Sequence, residues 1–202
     1  MKKSILFVAT CLLVICGAFA QNSNVEINEE LYKTDVEKFI HDCLYTKTEW
    51  VENFRTMSCI VDAFVVTDLK DSNKIMGGIH IQAKDASFTQ YGAREIVDLG
   101  YLDVSEIDDV LTVLNDIIRE SKQKHTLLYD ITYISKSKLI LSFHSQMNRL
   151  DISRTYHSIN AFGTPTEVTY STNDISTREI ERLIIKLTDA KTKITKVIET
   201  KN

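Results

Sequence analysis

Twice along the chain the hydrophobic positions switch from a period of two to a period of three to four, and that switch sets the expected architecture. Over 59–69, Cys59, Val61, Ala63, Val65 and Leu69 share one face while Ile60, Phe64 and Val66 mark the other, which predicts a strand covered in part on both sides. Lys70-Asp71-Ser72-Asn73 is turn material, and 75–83 returns with Ile75, Gly77, Ile79, Ile81 and Ala83 on one side, so a hairpin is expected. A third strand at 96–102 runs directly into a helix. Asp103 is placed to cap it, Glu106 sits three residues on, and Leu102 can staple to Ile107. Ile107, Val110, Leu111, Leu114, Ile117 and Ile118 then form a continuous stripe ending near Ser121.

The second half repeats this order. Strands are expected at 126–134, 138–145, 150–159 and 167–171, with Gly163 and Pro165 in a loop, and a last helix starts at Ser176. At an offset of 73, Ser176 stands for Asp103, Glu179 for Glu106, Ile175 and Ile180 for Leu102 and Ile107, and Leu183, Ile184 and Leu187 for Val110, Leu111 and Leu114. The match points to a strands–helix near-repeat, with halves at about 57–121 and 124–198. The plain alternative is that any well-capped amphipathic helix looks alike, and the hairpins upstream do not align at the same offset. Ahead of both halves, Thr34-Asp35-Val36-Glu37 reads as a capping box for a short helix over 35–43. Lys47 to Phe54 puts Trp50, Val51 and Phe54 on one helical face, as a second helical turn or an irregular cover. The expected fold is α+β: an antiparallel sheet of five to seven strands against two long amphipathic helices, with a short N-terminal helical cap.

The first twenty residues belong to a different class. Lys2 and Lys3 form a positive start, Ile5 to Cys16 an apolar run, and Ala18-Phe19-Ala20 the small-residue pattern of a signal peptidase site. A signal peptide over 1–20, cleaved after Ala20, predicts a periplasmic or secreted product. A lipid anchor fits less well because Cys16 follows Ile15 and Cys11 follows Thr10. Residues 21–34 read as a flexible lead, and 35–202 as one α+β domain. The chain carries 24 basic and 28 acidic residues, and loss of Lys2 and Lys3 takes the net charge from −4 to −6. Such a chain has no bulk attraction for nucleic acid, and the mature part has no segment suited to spanning a bilayer. Lys191, Lys193, Lys196 and Lys201 suit a helix C-terminus and solubility and are too sparse for a polyanion-binding tail.

Two cysteines remain after cleavage, Cys43 and Cys59. In an oxidising compartment they are expected to pair, closing a 17-residue loop worth about 3 kcal/mol; two buried thiols are the alternative.

Reaction-specific motifs are missing from the sequence. There is no HExxH, no phosphate-binding glycine loop and no GxSxG elbow, and Gly77-Gly78 inside a strand reads as a bulge or a close backbone approach. No cofactor and no metal site is expected. His80 and His144 lie on the less apolar sides of return strands, with Asp62 and Asp130 as the nearest carboxylates by strand face. These four are the candidate ligand-binding residues, surface histidines on a half-wet sheet being the bland reading. Tyr91, Tyr101, Tyr129, Tyr133, Tyr156 and Tyr170 in or beside strands suit recognition as well as packing. The expected function is therefore a small exported, non-enzymatic module that binds a protein or another envelope component. The alternative is a binder of small apolar ligands with a pocket between sheet and helices, and a hydrolase ranks third.

Overall fold

The computed structural model describes residues 33–84, 96–159, 165–172 and 174–201. The expected signal peptide, residues 21–32 of the lead, Tyr91 and Gly163 lie outside the described residues. Helix α1 (Asp35–Asp42) precedes strands β1 (Thr46–Arg55), β2 (Cys59–Asp68), β3 (Ile75–Lys84) and β4 (Ile96–Asp103). One 3-10 turn (Val104–Glu106) leads into α2 (Ile107–Ser121). Then come β5 (Asp130–Ile134), β6 (Ile140–His144), β7 (Arg149–Ile159), β8 (Pro165–Ser171), the two-residue β9 (Ile175–Ser176) and α3 (Thr177–Lys201). The fold is α+β with two antiparallel sheets where one was expected: β1-β2-β3-β4, and β5-β6-β7-β8 with β9 added against β7. Pro165 is the first residue of an edge strand rather than part of a loop, a place where its missing N–H costs no ladder bond.

The segment expected as a helical turn or an irregular cover is strand β1. Its ladder with β2 pairs Trp50 with Phe64 and then Glu52 with Ala63, so Val51 is an extra, bulged residue. The bulge reverses the alternation: Trp50 lies outward with Phe64, whereas Val51 and Phe54 pack on the inner core. Apolar residues at i, i+1 and i+4 are what a bulged strand and a helical face have in common.

The helices cross over between the sheets. Although it follows the second sheet, α3 lies across β1, β2 and β3, while α2 runs beside α3 and reaches β5. One core results. Val61, Ala63, Val65, Ile79 and Ile81 of the first sheet, Leu141, Phe143, Leu150 and Ile152 of the second, and the α2 and α3 stripes (Val110, Leu114, Ile117; Leu183, Leu187, Ile194) are all buried in the same cluster. Leu111 and Ile184 pack against it half-buried. Lysines of α3 clamp its far end onto β1. Lys193 pairs with Glu52 and Lys201 with Glu49, and Lys201, together with Lys47, holds the Glu49 carboxyl down to about 2.

Gly77 and Gly78 mark close approach on opposite faces of β3. A Cβ on Gly77 would sit 2.2 Å from Ile194 Cγ2 of α3, and one on Gly78 would sit 3.0 Å from Val36 Cγ1 of α1. α1 thus covers the outer face, where Val36, Phe64 and Val66 form a second small core with Phe39, Ile40, Met76 and Tyr101 around it.

The expected disulfide is not formed; Cys43 and Cys59 are free thiols. Cys43 lies against Asp68 at the last residue of β2, and Cys59 is the first residue of the same strand. Nine residue steps at ~3.3 Å put the two roughly 30 Å apart, far beyond the ~7 Å that a bridge tolerates. Burial pushes the Cys59 thiol up, away from thiolate chemistry, and burial with Asp68 nearby does the same to Cys43.

Both later helices start on a glutamate that serves two masters. Glu106 Oε2 accepts from Asp103 N (3.1 Å) and its Oε1 from Lys136 N (2.8 Å), in the β5–β6 turn. Glu179 Oε2 accepts from Ser176 N (3.2 Å) and its Oε1 from Met57 N (3.2 Å), in the β1–β2 turn. The start of α2, which follows the first sheet, is therefore tied to a turn of the second, and the start of α3, which follows the second sheet, to a turn of the first.

Candidate interaction face

The outer face of the first sheet carries a row of rings. Trp50 on β1 meets Phe64 on β2 edge-on at 5.6 Å, Phe64 meets Tyr101 on β4 at 5.8 Å, and Tyr101 stacks on His80 of β3 at 4.6 Å. The row begins exposed and becomes buried, since Trp50 is 63% accessible and Phe64 1%. Continuing the row, β7 brings Arg154 and Tyr156 alongside β4. Arg154 reaches Leu99 O (3.4 Å) and Glu37 Oε1 (3.7 Å), with its guanidinium 5.1 Å from the Tyr156 ring centre. Tyr156 donates its hydroxyl to Asp98 O (2.7 Å) and packs edge-on against Tyr170 at 5.9 Å. Burial raises the phenols of Tyr101 and Tyr156, and the Asp98 and Glu37 carboxylates add to this, so both rings are neutral donors at physiological pH.

Of the four candidate residues, the structure brings one pair together as expected. Asp130 and His144 are direct cross-strand neighbours, with Nδ1 3.2 Å from Oδ1. They border a 340 Å³ hollow with Leu128 and Met147. Asp62 and His80 are also in register across β2 and β3, but Asp62 is taken by Asn53 Nδ2. The partner of His80 is Asp98, with Nε2 2.9 Å from Oδ1. Strict alternation would place Asp98 and Tyr101 on opposite faces. The bulge at Leu99–Gly100, where Gly100 adopts φ 111°, turns both toward His80. Gly100 inside a strand pattern was the available signal. His80 is on the third strand of its sheet and His144 on the second of the other.

Chemically, each pair is an imidazole oriented by a carboxylate. Among the described residues no hydroxyl or thiol hydrogen-bonds to either ring, and no three His, Cys, Asp or Glu side chains converge in a way that could hold a metal ion. The face offers flat aromatic area, two neutral phenols and a guanidinium, which are means of recognition.

Partial burial opposes the Asp98 charge, but His80, the Gly100 amide (2.7 Å) and Arg154 hold its pKa below the ordinary aspartate value. A carboxylate depressed in the folded state adds stability above its unfolded pKa and loses it as pH falls through the folded value. The stability gap between wild type and Asp98→Asn is therefore expected to be full at neutral pH, to shrink below about pH 4 and to close at lower pH. Urea unfolding of both proteins across that range checks it; a gap independent of pH would contradict the pairing.

No protein-family model matches this chain, and no curated protein matches it in sequence.

Proposed function

We propose that this is an exported, non-enzymatic binding module that docks a protein or another envelope component on the outer face of its first sheet. The observation that carries the reading is Trp50. The only tryptophan of the chain stands 63% exposed at the edge of an aromatic row whose next ring is fully buried. A large ring held rigidly by packing behind it, with its own face open, is the usual form of an interface anchor. Export is read from the Lys2–Ala20 segment, and the product is periplasmic or secreted. We read the scaffold as two similar strands–helix halves, supported by the matched roles of Glu106 and Glu179 at the offset of 73.

The test uses the mature chain as bait for envelope and secreted fractions of the producing cell, with Trp50→Ala and, as a control, Met57→Ala. A component retained by wild type and Met57→Ala and weakened by Trp50→Ala at least tenfold is expected, an anchor being worth about 2 kcal/mol or more. Adding the purified component should shift the Trp50 emission to the blue. Retention that ignores Trp50→Ala would overturn the reading.

A second reading, a binder of small apolar ligands, is favoured by one observation. A groove of 620 Å³ opens between the β1–β2 turn and α3, over Phe54, Met57 and Ile185.

A further inference from the structure

We propose that this groove binds an amphiphilic anion, an alkyl chain ending in a carboxylate, phosphate or sulfate head. The inference rests on the second reading above and is independent of the Trp50 face. Its volume of 620 Å³ falls within the ~300–1,000 Å³ of small-ligand sites. The floor is apolar and partly open: Phe54 is 7% exposed, Met57 84% and Ile185 60%. Arg55, Arg182 and Lys186 stand around it. Lys186 has only a loose approach to Glu52 at 3.9 Å, and among the described residues Arg55 and Arg182 have no carboxylate partner. In a chain of net charge −4, two unpaired guanidiniums over an apolar floor are a local reversal of sign.

Hydrogen bonding narrows the ligand further. The side-chain acceptors that line the groove, Glu179 and Thr56, each already receive donors. Glu179 receives Met57 N and Ser176 N, Thr56 Oγ1 receives Cys59 N (2.9 Å) and Ser58 N (3.2 Å), and Thr56 O receives Lys84 Nζ. Beside the Glu179 carboxylate, what faces a ligand is mostly donors and hydrocarbon, with three cations against that one anion. A peptide would bring N–H groups that the two guanidiniums and the ammonium cannot accept from, whereas an anionic head brings acceptors alone, and guanidinium binds such heads in a fork.

The scaffold does not require these cations. If the α2 start and the β5–β6 turn are the counterparts of the α3 start and the β1–β2 turn, Asp109 stands at the station of Arg182 and Ile134 at that of Arg55, and the same Glu-to-turn link is made there without them.

Calorimetric titration of the intact mature chain with laurate, dodecanol and phosphatidylglycerol vesicles tests the proposal, with Arg55→Gln/Arg182→Gln as the site variant and its melting temperature as the fold control. One-to-one laurate binding, at least tenfold weaker for dodecanol and for the double variant, is expected if the ligand is a free acid. Vesicle binding with the same loss in the variant, and no laurate binding, assigns the same head and chain to a membrane lipid. Equal binding of laurate and dodecanol would overturn the anion inference while leaving the apolar-ligand reading in place. Binding unchanged in the variant would overturn the site, and no binding of any of the three would overturn both.

Discussion

Gly77→Val is expected to lower stability by about 3 kcal/mol, at the upper end of the cost of overpacking, and to lower the melting temperature by roughly 6–12 °C. The reason lies in the crossing of α3 over the first sheet. At Gly77 the helix approaches so closely that even a methyl carbon would stand 2.2 Å from Ile194 Cγ2, with Ile198 Cδ1 and Val104 Cγ2 at 3.3 Å. Ile194 is fully buried and β-branched, so it has no rotamer into which to retreat. The helix would have to lift, taking Leu187 and Ala190 off β2 and β3 and loosening the one core shared by both sheets. Thermal and urea unfolding measure the loss. The assignment to this contact is checked by Ile194→Ala, which should cost stability in the wild type and restore part of it in Gly77→Val, a coupling of opposite sign to simple addition. A Gly77→Val protein within about 0.5 kcal/mol of wild type, the range of neutral surface changes, would contradict the close packing of Ile194 on Gly77.

How much of this was legible beforehand depended on whether a strand kept its period. β2 and β3 alternate without interruption, and their extent and inner faces follow from Val61, Ala63, Val65, Ile79 and Ile81. β1 does not, because the bulge at Val51 imitates a helical spacing. The same kind of irregularity hid the partner of His80. His144 and Asp130 were found because a regular short hairpin sets them directly opposite, whereas Asp98 reaches His80 only through the bulge beside Gly100. Nor does alternation record which strands share a ladder, so the two sheets were merged into one. The cysteine pairing failed for a related reason: a count of two is compatible with pairing, but it carries no distance, and here a whole strand separates them. The long-range links from Glu106 and Glu179 to the opposite hairpins have a sequence trace only in their capping half. The half that crosses between elements is a product of tertiary packing.

Asp103→Ala is expected to cost about 3 kcal/mol, through loss of two charge-assisted hydrogen bonds at roughly 1.5–3 kcal/mol each, less what water recovers. Asp103 is 4% exposed, and its reach exceeds the helix it precedes. Its Oδ2 accepts from Asp35 N and its Oδ1 from Val36 N, both at 2.9 Å, so a residue at the end of β4 caps the first turn of α1. Lys136 from the β5–β6 turn comes within 3.5 Å of Asp103 and 3.3 Å of Asp35. Burial works against the Lys136 ammonium, but Asp35, Asp103 and Glu106 together hold its pKa above the ordinary lysine value. Removing the carboxylate leaves two amides of α1 unpaired and withdraws one anion from Lys136. At eight residues α1 is too short to persist without its caps and its packing. The measured consequence should be local before it is global: hydrogen exchange at the α1 amides speeds up by more than the urea midpoint alone predicts, while Asp103→Asn, which keeps one acceptor oxygen, falls between. Because Val36, Phe39 and Ile40 of α1 wall in Phe64 and Tyr101, fraying of α1 also removes the support behind Trp50. The Asp103→Ala protein should then lose near-ultraviolet circular dichroism from the aromatic row, and with it the binding ascribed to that face, without any change to a residue on it. Unaltered exchange in α1 would show that Thr34 and Glu37 cap the helix unaided and that the long-range link is dispensable.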